Sequence, residues 1–404
     1  MKLLLLTDVP PCQLYSGALV TLQLCKFMPK GSICCAAVVN PGLTKAKTDP
    51  SLDWMPTEYF VKPREQYLGA KIPSGVYSYL AENYIRPVQL ARMADRIADF
   101  ARGQGVTDFW CILQGQSMAR LATMVAERLD VPLLTQVWDP FSYWLNEHVI
   151  DVFSQKRLLA DFDRALASSK RCATASWAMS EDYEKRYGIE TIPLIAGIDK
   201  ALAKAPVAEA PAGDEFVIAL AGQIYASVEW FRLIEALTAM DWKVDGRRIV
   251  LNLLGSYMPP SLTVHSPLNI RLLGWHSQAA TIDILSRADL LYIPYWFDAW
   301  RKESSSLCFP SKFVTYLAAA KPILIHAPAY ASPSRFGAQE KCAVVCDSHV
   351  PEDIAAVITK VAMDKSEYVR LCAQGARTFQ KYFTLETMRS NFGKFLGADD
   401  GFLS

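Results

Sequence analysis

Short apolar runs alternate with longer segments in which apolar residues recur every three or four positions, along most of the chain. The short runs are typical of strands buried on both faces of a parallel sheet, and the longer segments are typical of amphipathic helices. The first half has predicted strands at residues 2–6, 33–39, 109–113, 133–137 and 171–175 and predicted helices at 18–27, 88–102 and 119–129. This alternation favours an α/β fold built on a parallel sheet.

The alternation is interrupted at residues 200–213, an Ala- and Pro-rich run without apolar periodicity. Such a composition is typical of a linker between domains. A second series follows, with predicted strands at 216–221, 248–254, 270–273, 290–293 and 343–346 and predicted helices at 228–239, 282–287 and 351–362. The length of 404 residues also exceeds what one ordinary core accommodates. We therefore expect two α/β domains, residues 1–199 and 214–379.

Residues 309–322 have the pattern of a loop, a short apolar helix and a stop, followed by a buried strand at 323–326. Ser311 is predicted to cap a helix that begins near Lys312, and Pro322 ends it. The first-turn amides and the positive end of the helix dipole would then point at one place beside the Lys312 ammonium, which suits a phosphate group. An ordinary crossover helix whose N-terminus faces water would show the same features.

Glycine-containing loops follow three successive predicted strands of the second half. Gly222 comes after the first strand, Gly255 after the second and Gly274 after the third. Glycine directly after a strand permits a tight turn and the close approach of a ligand to the backbone. Because the carboxyl ends of parallel strands share one edge of a sheet, these loops are expected to line a binding site.

The segment Pro-Ser-Lys-Phe-Val-Thr-Tyr-Leu-Ala-Ala-Ala-Lys-Pro at 310–322, together with the preceding glycine loops, resembles the donor-binding half of GT-B glycosyltransferases, especially family 4. The resemblance implies two Rossmann-like, doubly wound domains that face each other across a cleft. The first would bind the acceptor, the second would bind the nucleotide-sugar donor, and a final helix at about 380–404 would cross back onto the first. It also implies sugar transfer from a nucleotide diphospho-sugar to a hydroxyl group with retention, and no metal or other cofactor.

The residues that this resemblance places at the donor are Gly17, Gly222, Gln223, Trp275, Ser311, Lys312 and Thr315, and Arg301 is expected to add positive charge against the diphosphate. The chain departs from the family pattern in two ways. An Arg/Lys clamp on the diphosphate is replaced by Gln223 and Glu229, and two glutamates around the phosphate helix are replaced by Leu307 and Thr315. Glu303 is the candidate catalytic residue that would take over the contact with the donor sugar, and a solvated loop is the alternative interpretation.

Two segments of the first half also resemble the family. Ser16 and Gly17 precede the helix at 18–27, like the glycine-rich loop that approaches the donor phosphates, and Ser16 is equally predicted as a simple N-cap. The strand at 133–137 leads to Asp139, where the family often has His-Asp. Asp139 is the second candidate catalytic residue, expected to orient or deprotonate the acceptor hydroxyl, with an Asp-Pro turn as the alternative. The neighbouring aromatic residues, which either stack on a sugar or belong to the core, are Trp138, Phe141, Tyr143 and Trp144.

Composition narrows the choice of partners. The formal net charge of +1 gives no basic surplus for nucleic acid. Ten scattered cysteines without a Cys-x-x-Cys predict reduced thiols, and five histidines show no metal-ligand spacing. No apolar run is long enough to span a bilayer, so a cytoplasmic location is expected, with membrane contact only at the periphery. The predicted helix at 88–102, with Arg92, Arg96 and Arg102, offers either a basic face for anionic lipid or an ordinary solvated surface.

The predicted partners are thus a nucleotide diphospho-sugar donor and a glycan or lipid-linked acceptor, in polysaccharide or glycoconjugate biosynthesis. Two alternatives remain open. A sugar-nucleotide epimerase or hydrolase on the same fold would need several titratable groups, which the histidine-poor first half does not favour. A non-catalytic nucleotide- or glycan-binding protein is consistent with the absent clamp and glutamates.

Overall fold

A computed structural model of the 404-residue chain describes residues 1–63, 65, 80–255, 269–399 and 401–403. The chain divides into two units. Unit 1 comprises Met1–Ile195 and Arg389–Ser404, and unit 2 comprises Ala196–Met388. Each unit is built on one sheet with helices packed against it, which confirms the predicted α/β class.

Unit 1 contains a parallel sheet of seven strands. The strands are β1 (Leu3–Thr7), β2 (Ile33–Val39), β3 (Thr57–Val61), β4 (Asp108–Ile112), β5 (Leu133–Val137), β6 (Arg171–Thr174) and β7 (Glu190–Pro193). Their order in the sheet is β3-β2-β1-β4-β5-β6-β7. The helices are α1 (Ser16–Lys26), α2 (Arg86–Gly103), α3 (Gln116–Leu129), α4 (Phe141–Glu147), α5 (Val152–Ala167) and α6 (Trp177–Tyr187). The central strands β1, β2 and β5 are buried along their whole length, as continuous apolar runs predict.

Unit 2 repeats this arrangement. Its strands are β8 (Glu215–Ala221), β9 (Lys243–Val244), β10 (Arg247–Leu254), β11 (Ile270–Gly274), β12 (Leu290–Pro294), β13 (Ile323–His326) and β14 (Val344–Cys346). The order is β11-β10-β8-β12-β13-β14, all parallel, and β9 pairs with β10 in the antiparallel direction. The helices are α7 (Ser227–Ala239), α8 (Gln278–Leu285), α9 (Lys302–Leu307), α10 (Ser311–Ala318), α11 (Ser332–Gln339), α12 (Pro351–Met363) and α13 (Lys365–Tyr382).

The last helix, α14 (Leu385–Leu396), begins in unit 2 and continues into unit 1. There Phe392 and Phe395 lie against the fully buried Trp110 of β4, with ring centroids 5.2 and 6.3 Å away. The C-terminal part of the chain therefore contributes to the core of unit 1. Short 3₁₀ helices occupy Pro41–Leu43, Pro50–Leu52, Lys200–Leu202 and Ala299–Arg301, and one turn of π-helix, Ala81–Ile85, precedes α2.

The Ala/Pro-rich run at 200–213 lies in unit 2 and packs on it. The backbone amide of Lys204 donates to Ala318 O at 2.8 Å, and its ammonium pairs with Asp283 at 3.0 Å. Val207 and Ala210 lie against the core of unit 2. Several side chains of this low-complexity run therefore cover apolar surface.

All ten cysteines lie in the described residues, where each is buried and none forms a disulfide. Within the described part of the chain, no helix combines the length and the apolar character needed to cross a membrane.

Candidate functional site

The candidate site in unit 2 lies at the carboxyl edge of its sheet, where the three glycine-containing loops are joined by hydrogen bonds. Gly222 N donates to Leu254 O at 2.7 Å, and Gly255 N donates to Gly274 O at 2.9 Å. Gly222 and Gly274 have φ angles of +83° and +75°, a conformation that strains residues with a side chain. These loops therefore lie side by side, as the glycine pattern predicts. Residues 256–257, which complete the second loop, are outside the described residues.

Helix α10 is held at this edge by Tyr316, which the sequence analysis did not single out. Its hydroxyl accepts a hydrogen bond from Ala221 N at 2.7 Å and donates to Tyr292 O at 3.3 Å. Burial raises the pKa of Tyr316 well above its usual value, so the phenol stays protonated. This side chain fixes α10 against the end of β8 and the middle of β12.

The N-terminus of α10 differs from the prediction in one respect. The helix begins at Ser311, the preceding Pro310 is the extended cap residue, and no side chain caps the helix. Ser311 is not the cap because Phe313 N already bonds to Pro310 O, at 2.9 Å, which starts the helix one residue earlier. The exposed Ser311 side chain is thus not used in capping, and no side chain caps the first-turn amides.

Lys312 is the cation beside these amides. Its ammonium donates to Gln223 O at 3.0 Å and lies 4.5 Å from the centre of the Tyr225 ring. No carboxylate of the described residues pairs with it. Desolvation lowers the pKa of Lys312 to about 7, although the side chain keeps some contact with solvent. An anion bound here would favour the charged form.

A second cation lies on the same group of aromatic residues. The Tyr225 and Trp296 rings are 4.9 Å apart, and Trp296 Nε1 donates to Tyr225 O at 3.2 Å. The Arg301 guanidinium lies 4.7 Å from the Trp296 ring and 4.1 Å from the Trp300 ring. Aromatic faces therefore contact both cations, Lys312 and Arg301, at this edge of the sheet.

The other residues predicted to contact the donor differ in how exposed they are. Thr315 lies one helical turn beyond Ser311 and is half-buried. Glu303 is the second residue of α9 and is also half-buried, whereas Leu307 of the same helix is buried. Trp275 follows Gly274 and is 74% exposed, so its indole ring is open to a ligand.

Glu229, which stands where the family has a lysine, is a buried structural carboxylate. It is 1% exposed, and its Oε1 accepts a hydrogen bond from Phe297 N at 3.1 Å. His349 Nε2 lies 3.2 Å from the same oxygen. Glu229 therefore ties α7 to the loops after β12 and β14, a role that needs partners 68 and 120 residues away and leaves no local sequence signal.

His326 is a hydrogen-bonded core histidine. It is fully buried, its Nε2 donates to Ser348 O at 2.8 Å, and its Nδ1 lies 2.7 Å from the Tyr292 hydroxyl. Desolvation lowers the pKa of His326 to about 4. The imidazole is therefore neutral at pH 7, with Nδ1 as the acceptor from Tyr292.

Acidification from pH 7 to pH 5 is expected to destabilise the protein through His326 by about 2 kcal/mol. The unfolded chain takes up a proton near the usual histidine pKa of 6.5, whereas the folded imidazole resists protonation until about pH 4. The contribution of neutral His326 to the free energy of unfolding is therefore present above pH 6.5 and is lost as the pH falls from there towards 4. Urea unfolding at both pH values gives the difference in free energy of unfolding between the wild type and His326→Gln. A difference that is the same at pH 7 and pH 5 would contradict the neutral state assigned to His326.

In unit 1, residues at the ends of three neighbouring strands line a cavity of about 220 Å³. Asp8 follows β1, Gln114 follows β4 and Trp138 follows β5, with Gly17 of α1 beside them. Ser16 also lines it but is not an N-cap as one interpretation predicts, because α1 begins at Ser16, its cap residue is Tyr15, and no side chain caps it.

Asp139 is half-buried directly after Trp138, and the described residues lining the cavity do not include it. The aromatic residues nearby were expected either to stack on a sugar or to belong to the core. Phe141 is buried and stacks on Phe162 at 4.8 Å, so it belongs to the core. Trp144 is half-buried and stacks on His148 at 3.9 Å. Only Trp138 of this set lines the cavity.

The basic face predicted on α2 is partly used within unit 1. Arg96 lies 4.0 Å from Glu58 and over the Phe60 ring, and Arg102 pairs with Asp99 at 2.9 Å. These contacts favour the interpretation as a solvated surface. In the described parts of the chain, no group of three or more His, Cys, Asp or Glu residues is placed to hold a metal ion.

No protein-family model matches the chain. No curated protein matches it in sequence. Solved structures do match it along its length. HepE of Anabaena in complex with UDP has a TM-score of 0.69 at 13% identity, covering 98% of this chain and 100% of that chain. Sucrose-phosphate synthase of Thermosynechococcus elongatus has a TM-score of 0.68 at 14% identity, covering 98% of each chain. A glycosyltransferase of Rickettsia africae has a TM-score of 0.66 at 12% identity, covering 98% and 100%. The chain therefore has the GT-B fold, as its resemblance implies.

Proposed function

We propose that the protein is a glycosyltransferase that moves a sugar from a nucleotide diphospho-sugar to a hydroxyl group of a glycan or other acceptor. The observation that carries this proposal is the N-terminus of α10, where amides without a side-chain cap and a desolvated Lys312 converge at the strand ends of unit 2. Structures of the same fold are of HepE with UDP and with UDP-glucose, which supports a donor of this class.

The α10 N-terminus suits the diphosphate of such a donor. Helix amides and an ammonium group stabilise phosphate oxygens, and they do so more strongly where solvent is excluded. As the bond between the anomeric carbon and the diphosphate breaks, negative charge grows on the leaving group. Lys312, with Arg301 held close by on Trp296, would stabilise this charge without moving during the reaction.

The remaining roles follow the family resemblance. Thr315 would contact the ribose, Trp275 would lie against the nucleotide base, and Glu303 would contact the donor sugar. Asp139 would serve the acceptor. We extend the proposal to family 4, retention of configuration, no metal requirement and a place in polysaccharide or glycoconjugate synthesis, on the strength of the 310–322 segment.

UDP binding is expected to be accompanied by proton uptake. At pH 8 Lys312 is mostly neutral in the free protein because its pKa is about 7, and a bound diphosphate requires the ammonium. We expect uptake of about half a proton at pH 7 and of about one proton at pH 8, and the affinity for UDP should fall as the pH rises. Calorimetric titrations with UDP, in buffers that differ in ionisation enthalpy, measure this number directly.

Lys312→Arg is the matched control, because a guanidinium stays charged and should abolish the uptake. Binding of UDP without proton uptake would move the donor away from Lys312. Failure of UDP, GDP, ADP and TDP to bind would contradict the proposed function. The alternative is a non-catalytic binding protein, which is consistent with Leu307 and Glu229 standing where the family has a glutamate and a lysine. Such a protein would show the proton uptake but would release no UDP from UDP-glucose.

A further inference from the structure

The cavity of unit 1 has the size and lining of a binding site for one sugar ring. Its volume is about 220 Å³, and it opens at the carboxyl edge of the sheet between β1, β4 and β5. Aromatic and polar side chains line it together, namely Tyr15 and Trp138 with Asp8 and Gln114. Sugars present both apolar ring faces and hydroxyl groups, so a mixed lining of this kind complements them.

Gly17 and Trp138 lie next to each other in the wall of this cavity. A Cβ atom built on Gly17 would already be in van der Waals contact with Trp138 Nε1, at 3.7 Å, so a larger residue at this position would crowd the indole. The indole nitrogen is a hydrogen-bond donor, which suits a ligand oxygen at this wall.

Asp8 supplies the charge of the cavity. Burial raises the pKa of Asp8 to about 6, with Lys62 lowering it and Glu65 raising it further. The Lys62 ammonium is paired with Glu65 at 2.9 Å, and the neighbouring Cys111 thiol is buried, which keeps it neutral. At pH 7 the three charged side chains together carry one net negative charge, and Asp8 is the member that lines the cavity.

We infer that this cavity is the acceptor subsite and that it selects a neutral sugar ring, one of whose hydroxyl groups donates a hydrogen bond to the Asp8 carboxylate. The identity of the bound sugar as an acceptor rests on the proposed function. Because a carboxylate repels anions, phosphorylated or carboxylated rings are expected to bind more weakly than neutral ones. Gly17 would then lie against a sugar rather than against the donor diphosphate.

The test uses the methyl glycosides of glucose, galactose and mannose, each with the matching uronide that differs only by a carboxylate at carbon 6. Saturation-transfer NMR titrations of the full chain give the affinities. At pH 7.5 the wild type should bind at least one neutral glycoside about tenfold more tightly than its uronide. Asp8→Asn should weaken the neutral glycoside about tenfold and remove the preference. At pH 5 the wild-type preference should shrink, because Asp8 becomes mostly neutral while the uronide stays charged.

Asp53→Asn is the matched control, since Asp53 is an exposed aspartate of unit 1 that does not line the cavity. Its glycoside binding should equal that of the wild type. Absence of binding by every neutral glycoside, or equal effects of the two substitutions, would overturn the inference. UDP titrations of the same proteins test the donor site independently. The UDP affinity of Asp8→Asn should equal that of the wild type. Failure of UDP to bind the wild type would contradict the proposed function and not the acceptor inference.

Discussion

Replacing Lys62 with methionine is expected to lower the free energy of unfolding by about 3–5 kcal/mol. Lys62 and Glu65 form an ion pair at 2.9 Å, and their side chains are only 1% and 2% exposed. Removing the ammonium leaves the Glu65 carboxylate buried without its counter-charge, close to Asp8, whose charge it already disfavours. Losing one partner of a buried pair is far more costly than losing both.

Glu65 has a second function that makes this pair important for unit 1. Its Oε1 accepts a hydrogen bond from Ser117 N at 2.9 Å, in the first turn of α3. Gly115, the cap residue of α3, has a φ angle of +87°, and a Cβ atom built there would lie 3.1 Å from the same oxygen. A residue 52 positions away in the chain thus caps α3.

The double variant Lys62→Met/Glu65→Gln provides the control. A neutral amide keeps an oxygen for Ser117 N and has no charge to bury, so we expect it to recover part of the loss. Urea unfolding of the wild type, both single variants and the double variant gives the coupling energy between the two positions. Additive effects of the two substitutions would show that the pair is not coupled and would contradict the expected result.

Replacing Lys312 with methionine is expected to weaken UDP binding by about 10- to 100-fold at pH 6.5. At this pH the wild-type ammonium is mostly charged, since its pKa is about 7. Methionine keeps much of the packing against Tyr225 and removes only the charge and the hydrogen bond to Gln223 O. Most of the loss should therefore report the interaction with phosphate.

Calorimetric titration with UDP measures this effect, and Lys360→Met, a substitution at an exposed lysine of α12, is the matched control. The thermal unfolding midpoint of Lys312→Met without UDP should stay close to that of the wild type, because no described acidic partner is left unpaired. Unchanged UDP affinity in this variant would place the nucleotide elsewhere in the protein.

The alternating pattern predicted most of the sheet strands to within one or two residues, and β5 and β2 match in both bounds. It missed β3 and β7, which lie at the two edges of the unit 1 sheet and are less completely buried. Edge strands lack the continuous apolar run that burial on both faces imposes, so their sequences resemble loops. The pattern likewise gave no prediction for six helices, which are α4, α5, α6, α9, α11 and α13. In α4, α5 and α6, aromatic and charged residues obscure the apolar spacing.

The sequence by itself determined the α/β class, the glycine loops after successive strands, and a helix that starts within one residue of Lys312, because these depend on residues close together in the chain. Only the tertiary structure decided which side chains support them. Tyr316 reaches Ala221, Glu229 reaches Phe297 and Glu65 reaches Ser117, across separations of 95, 68 and 52 residues. The environment of Asp8 and Lys312 was also decided there, since desolvation depends on everything packed around a group. Hydrophobic periodicity indicates which face of a helix or strand is buried, but it does not indicate which distant polar group forms a hydrogen bond with that element.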